Sequence, residues 1–190
     1  MAAGPDYDPD VGLCQTLDIR PVGVDVLSSV RYVHASALRS QGTAFYSAEE
    51  LNAFESMVRS VRYAETVLKD TMLGGWIGHD LVGTASWGVV DDSGRTARID
   101  SVFVRPFFTG LGIGQRLVET AEALAVQAGY TSFSVRSTLN AVPFFEQLGY
   151  TVTSHGTRQL AQQISIPVSF MRKEYAGPST PCDPASREHH

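Results

Sequence analysis

Apolar residues at Val26, Val30, Val33 and Ala37 recur at helical spacing, which predicts a helix over residues 24–38 after a short strand at 17–20 that Pro21 ends. Ser47 and Glu50 form a capping box ahead of a second helical face, Leu51, Phe54, Val58 and Val61. Three strands follow at 71–77, 81–90 and 97–104. Gly78, His79 and Asp80 separate the first two; Asp91, Asp92, Ser93 and Gly94 separate the second pair. Such short, turn-rich connectors predict an antiparallel meander. The clearest helix spans 112–127, with Ile113, Leu117, Ala121, Leu124 and Ala128 on one stripe and Gly129 as its stop. A strand at 133–136, a short helix from Asn140 to Gln147 ended by Gly149, and two closing strands at 150–153 and 164–171 complete the chain. A polar loop of ten residues, carrying His155, is expected between the closing strands. The expected fold class is α/β: a mixed, mostly antiparallel central sheet with flanking helices.

Composition narrows the function classes. The 190 residues are 43 % hydrophobic and 18 % charged, which suits one domain with a sizeable core. A formal net charge of −5, with no basic, aromatic-laced stretch, argues against nucleic acid and anionic membrane as partners. The residues 1–14 read as a flexible arm, 15–175 as a single domain and 176–190, with Pro178, Pro181 and Pro184, as a flexible tail. No positive leader, apolar signal core or spanning run is visible, and Cys14 and Cys182 lack metal-like spacing. A reducing, cytoplasmic setting with unpaired thiols and no metal is therefore expected.

Candidate chemistry concentrates where the third strand of the meander meets the best helix. Gly110, Gly112 and Gly114 stand at alternate positions there. Glycines let the backbone turn tightly and approach a ligand. The first-turn N–H groups lack internal partners, and the helix dipole favours phosphate oxygens at that end. The dinucleotide fingerprint would require a glycine at 115 and an acidic residue ending the next strand, but Gln115 and Arg136 stand there. No ATP-type loop is present either.

The run Thr109-Gly110-Leu111-Gly112-Ile113-Gly114 resembles the glycine signature of the Gcn5-related N-acetyltransferase superfamily. The run Asn140-Ala141-Val142-Pro143-Phe144-Phe145-Glu146-Gln147-Leu148-Gly149-Tyr150 resembles its second signature. Element order agrees from about Leu17 to Lys173. The resemblance implies parallel central strands that splay apart, acetyl-CoA as cofactor and direct attack by an amine on the thioester. It implies cofactor contacts at Val102, Phe103, Val104, Thr109 to Gly114, Asn140, Phe144 and Phe145. A backbone N–H at Phe103 or Val104 would meet the charge developing on the thioester carbonyl. A homodimer is a common family arrangement. Two positions depart from the pattern: Thr109 replaces the usual Gln or Arg, and Phe145 replaces the tyrosine that donates a proton to the leaving thiolate.

Acid–base and acceptor candidates follow. Alternation places Arg98, Asp100, Val102 and Val104 on one face. Asp100 is then either a base among apolar neighbours or a structural partner of Arg98. His34 is either a base or substrate contact, or a semi-buried helix residue. Phe45, Tyr46 and Arg136 are expected to wall the acceptor pocket; Tyr32 is either surface or pocket wall, Trp87 either pocket wall or core, and Asn140 either contacts the pantetheine, caps the short helix, or both. The expected function is N-acetyl transfer to a primary amine of a small molecule or peptide. The alternative, kept open by Phe145, is an acyl-CoA-binding protein with little transferase activity.

Overall fold

The computed structural model describes residues 16–67, 71–90, 94–175 and 177. Both cysteines, most of the expected arm and tail, and the Asp91–Ser93 turn lie outside these residues. One seven-stranded sheet organises the chain: β1 (Asp18–Pro21), β2 (Thr71–Ile77), β3 (Asp80–Val89), β4 (Thr96–Val104), β5 (Ser132–Thr138), β6 (Thr151–Ala161) and β7 (Ile164–Glu174). Spatial order is β1-β2-β3-β4-β5-β7-β6. Only β4 and β5 pair in parallel; every other neighbour is antiparallel. The expected mixed α/β fold is the observed one.

The helices are α1 (Leu27–Gln41), α2 (Ala48–Arg59), α3 (Val61–Val67), α4 (Ile113–Gln127) and α5 (Val142–Gln147). α4 crosses from β4 to β5 on one face, where Ile113, Leu117, Val118, Ala121 and Ala125 are buried against Ala85, Ala97, Ile99 and Phe133. α1 and α2 cover the other face with Val30, Val33, Leu38, Phe54 and Val58, packing on Leu81, Ile166 and Val168. Burial of these two apolar stripes, one on each side of the sheet, is the main stabilising term.

Several boundaries differ from expectation for local reasons. Residues Val24–Val26 form a 3₁₀ turn, so α1 starts at Leu27 and runs on to Gln41. The capping box at Ser47 and Glu50 is present in full, but Ser60 is extended and ends α2. The Ser60 hydroxyl then accepts from Tyr63 N–H at the start of α3. Val61, expected on the buried stripe of α2, is 74 % exposed. Asn140 does not cap α5: it lies in a 3₁₀ turn, and the helix begins after Ala141.

The expected polar loop after residue 153 is instead strand. β6 continues to Ala161 and meets β7 through a turn at residues 162–163. β6 is an edge strand, so polar side chains on its open face cost nothing. Gly156, Arg158 and Leu160 face partly inward, with Arg158 over the Phe54 ring of α2.

Candidate active site

Pairing between β4 and β5 runs from Thr96 and Ser132 to Ile99 and Val135, and then stops. β5 continues alongside β7 to Thr138, while β4 continues alongside β3. Its register shifts there: Thr84 pairs with Phe103 and Ser86 with Asp100, so one β3 residue opposes two on β4. Ser101 is the extra residue, with φ of 54°. A bulge with its first residue left-handed bends the strand and increases its twist. The bend takes β4 away from β5 and opens the sheet.

A groove of 430 Å³ occupies this opening. Its walls are Val102–Val104, the Gly110–Gly114 turn, Asn140 and Phe144, with Leu38 and Gln41 of α1 across from them. Gln41 donates its side-chain N–H to the Val104 carbonyl at 3.2 Å, tying α1 to the strand edge. Gly110 and Gly112 have φ of 82° and 74°, left-handed values that a side chain would strain. Gly112 is the N-cap of α4 and offers no side chain to its amides. The first helical bond runs from Arg116 N–H to Gly112 O. The amides of Ile113, Gly114 and Gln115 therefore have no carbonyl in their own helix.

The groove fits a pyrophosphate-bearing, amide-containing cofactor on two counts. The open amides and dipole at the start of α4 suit phosphate. Asn140 Oδ1 is buried on the groove without a hydrogen-bond partner, an acceptor that an amide N–H would satisfy. The Thr109 hydroxyl donates to Pro106 O at 2.9 Å, so it orders the turn. Of the cofactor residues expected from sequence, Leu111 packs against the core, and Phe145 is buried between Phe144 and Tyr150 rather than lining the groove.

A smaller cleft of 40 Å³ lies between the separated strands, bounded by Asp100, Ser101, Phe103, Arg136, Phe145 and Arg158. The bulge splits the face expected from simple alternation. Arg98 and Asp100 lie on the α1 side, whereas Val102 and Val104 pack toward α4. Asp100 thus does not share a face with Val102 and Val104. Its Oδ1 accepts from Ser101 N–H at 2.7 Å and its Oδ2 lies 3.5 Å from Arg98 Nε.

The acceptor-wall expectations are redistributed. Arg136 lines the small cleft. Tyr32 is exposed beneath the Arg105 guanidinium, 5.4 Å away, and borders a separate surface depression on α1. Phe45 is half-exposed in a loop. Tyr46 is buried, accepting from Leu139 N–H and donating to Pro167 O, so it braces the turn that carries Asn140. Trp87 packs against Tyr130 on the α4 face.

His34 is wholly buried and lines neither opening. Its Nδ1 lies 2.6 Å from the Tyr63 hydroxyl and its Nε2 2.8 Å from Thr84 Oγ1. Burial, with help from the Arg158 charge, pushes its pKa down to about 3, so the ring is neutral. That enclosure argues against a role as proton acceptor for a substrate. Sequence reasoning missed Leu38, Gln41, Gln115, Thr138, Gln147 and Arg158. The α1 stripe signalled Leu38, but nothing in the polar run after residue 153 marked Arg158.

The Acetyltransferase (GNAT) family matches residues 37–150. No curated protein matches in sequence. A GCN5-related N-acetyltransferase structure from Rhodopseudomonas palustris is 22 % identical, covering 84 % of this chain and 96 % of its own, with a TM-score of 0.76. PaiA N-acetyltransferase from Thermoplasma acidophilum, solved in complex with coenzyme A, is 16 % identical over 84 % of this chain and 99 % of its own, at 0.66. YncA from Salmonella typhimurium, solved with its cofactor acetyl-CoA, is 16 % identical over 87 % and 97 %, at 0.58. With the family match covering more than half its length, this chain belongs to the GNAT acetyltransferase family.

Proposed function

We propose that this protein transfers an acetyl group from acetyl-CoA to a primary amine by direct attack. The observation that carries the reading is a groove that starts at the open amides of α4, passes the unpaired side-chain oxygen Oδ1 of Asn140 and ends between the separated strands. The amides of Ile113, Gly114 and Gln115 would hold the pyrophosphate. The Val102–Val104 edge and Asn140 would hold the pantetheine, with Phe144 as an apolar wall. Acetyl-CoA held there would supply an activated acyl carbon to the amine, whose proton must pass to a base while the departing thiolate takes one up.

The chain's own contribution is position, a proton acceptor and a polarising donor. Asp100 is the carboxylate at the cleft and would take the amine proton directly or through one water. The backbone N–H of Phe103 or Val104 would face the carbonyl oxygen. Phe145 supplies no proton to the leaving group. The hydroxyl-bearing side chains around the two openings are Ser101, Thr109, Ser137 and Thr138, and Ser137 donates to Thr138 O. Protonation of the thiolate would then fall to Ser101, Thr138 or solvent. Phe145 is also the observation that favours a second reading, a coenzyme A-binding protein with weak turnover.

Calorimetric titration with acetyl-CoA, followed by thiol release against an amine library, tests both. Absence of binding at millimolar cofactor defeats the whole reading. Tight binding with no thiol release from any amine selects the second.

A further inference from the structure

The charge around the small cleft does not balance. Arg98, Asp100, Arg136 and Arg158 come from β4, β5 and β6 onto the face covered by α1 and α2; Asp100, Arg136 and Arg158 line the cleft itself. Asp100 is the one carboxylate among the residues lining it, and it is engaged by Ser101 N–H and faces Arg98. Among the described residues, Arg136 and Arg158 form no ion pair. Arg136 is exposed overall, yet partial desolvation, together with the charge of Arg158, lowers the pKa of its guanidinium against the opposing charge of Asp100. The Arg158 charge is felt as far as His34 and Tyr63.

Overall basicity does not explain this, since the chain carries a net charge of −5. Packing explains it only in part. The Arg158 guanidinium lies 6.0 Å from the Phe54 ring centroid, a contact that orients it. Two like charges sharing a cleft repel, and an anion seated between them relieves that repulsion while accepting charge-assisted hydrogen bonds from both forks. The cleft opens beside the stretch of β4 where the acyl carbon would lie.

We propose that the acceptor amine carries an anionic group, held by Arg136 and Arg158 while Asp100 faces its ammonium; this rests on the acyl-transfer reading above. An α-amino acid and a phosphorylated amine share that chemistry. A polyamine does not, because its second cation would meet the guanidiniums.

Matched acceptors test the proposal: α-amino acids against their carboxamides, O-phosphoethanolamine against ethanolamine, and spermidine as the cationic arm. Thiol release and acetyl-CoA affinity are measured for wild type, Arg136→Gln and Arg158→Gln. The expected result is at least tenfold higher kcat/KM for the anionic member of one pair, which identifies carboxylate or phosphate. Each variant should then lose about tenfold or more, chiefly in KM, with acetyl-CoA affinity unchanged as proof of folding. Equal use of the neutral partners or spermidine, unchanged variants, or no turnover of any anionic amine by a protein that binds acetyl-CoA would each overturn it. A wild-type protein that does not bind acetyl-CoA defeats the acyl-transfer reading, and this proposal with it.

Discussion

Thr84 donates its hydroxyl proton to the carbonyl of Ser101 at 2.7 Å, tying the middle of β3 to the bulge that opens the sheet. That bond fixes a longer chain. With its own proton spent on Ser101, Thr84 Oγ1 must accept from His34 Nε2–H at 2.8 Å. His34 Nδ1 is then the unprotonated nitrogen and accepts from the Tyr63 hydroxyl. A run of three side chains from α3, α1 and β3 thus ends on the one non-glycine residue with left-handed φ among those described.

Thr84→Val keeps the shape and removes both hydrogen bonds. We expect it to cost about 1–3 kcal/mol in urea unfolding, because the buried His34 donor and Ser101 acceptor are left unpaired. Acetyl-CoA affinity should weaken with it, since the bulge sets the strand edge, and Thr84→Ser should restore both. A valine variant with unaltered cofactor affinity would show that the bulge holds itself.

His34 makes stability depend on acidity. Its pKa falls from 6.5 in the unfolded chain to about 3 in the fold, so below 6.5 the unfolded state binds a proton that the folded state refuses. Stability attributable to this group is full above 6.5, declines as pH falls, and stops declining near 3. Between pH 7.5 and pH 5 the loss should be about 2 kcal/mol for wild type. His34→Gln should flatten that slope, whatever its stability at neutral pH. Parallel slopes in urea titrations at the two pH values would remove His34 as the cause.

Gly112→Glu places a side chain at φ of 74° and a carboxylate at the phosphate seat. Backbone strain should cost about 1–2 kcal/mol of stability. Coenzyme A binding should vanish in calorimetry of the folded variant, a far larger effect than the strain. Retained affinity would refute the seat.

Asp100→Asn tests the proton acceptor. Turnover should drop about 10²–10⁴-fold, with acetyl-CoA affinity kept. Turnover within a few-fold of wild type would assign the proton to solvent.

Away from the site, Glu122 on α4 accepts from the Tyr150 hydroxyl at 2.7 Å and from Lys173 Nζ at 2.7 Å. Burial and the Glu122 charge raise the Tyr150 pKa, so the phenol stays protonated as donor. Tyr150→Phe should cost about 1–2 kcal/mol without changing cofactor affinity, measured by urea unfolding and titration. Lost affinity would show that this anchor also sets the groove.

Periodicity exposed most of the scaffold. β2 spans the expected residues, and α4 begins one residue after the expected start because Gly112 is its cap. The glycine loop was legible because its chemistry is local: turn, open amides and dipole lie within a few consecutive residues. Ser60 was harder to see, since one extended serine broke a pattern that Val61 otherwise continues. The continuation of β6 beyond residue 153 was hidden because its outward residues are polar, as an edge strand permits, and its pairing with β7 is not written in its own alternation.

The sequence alone determined which segments are amphipathic and where glycines turn the chain into the start of the longest amphipathic helix, all properties of neighbours in the chain. Tertiary structure alone decided that Ser101 bulges, that Asp100 and Val102 therefore face opposite sides, that His34 is sealed in the core, and that Arg136 and Arg158 share one cleft. The physical reason is that a bulge and a charge cluster are settled by partners on other strands. Hydrogen-bond register and desolvation depend on those partners, and local residue preferences carry no record of them.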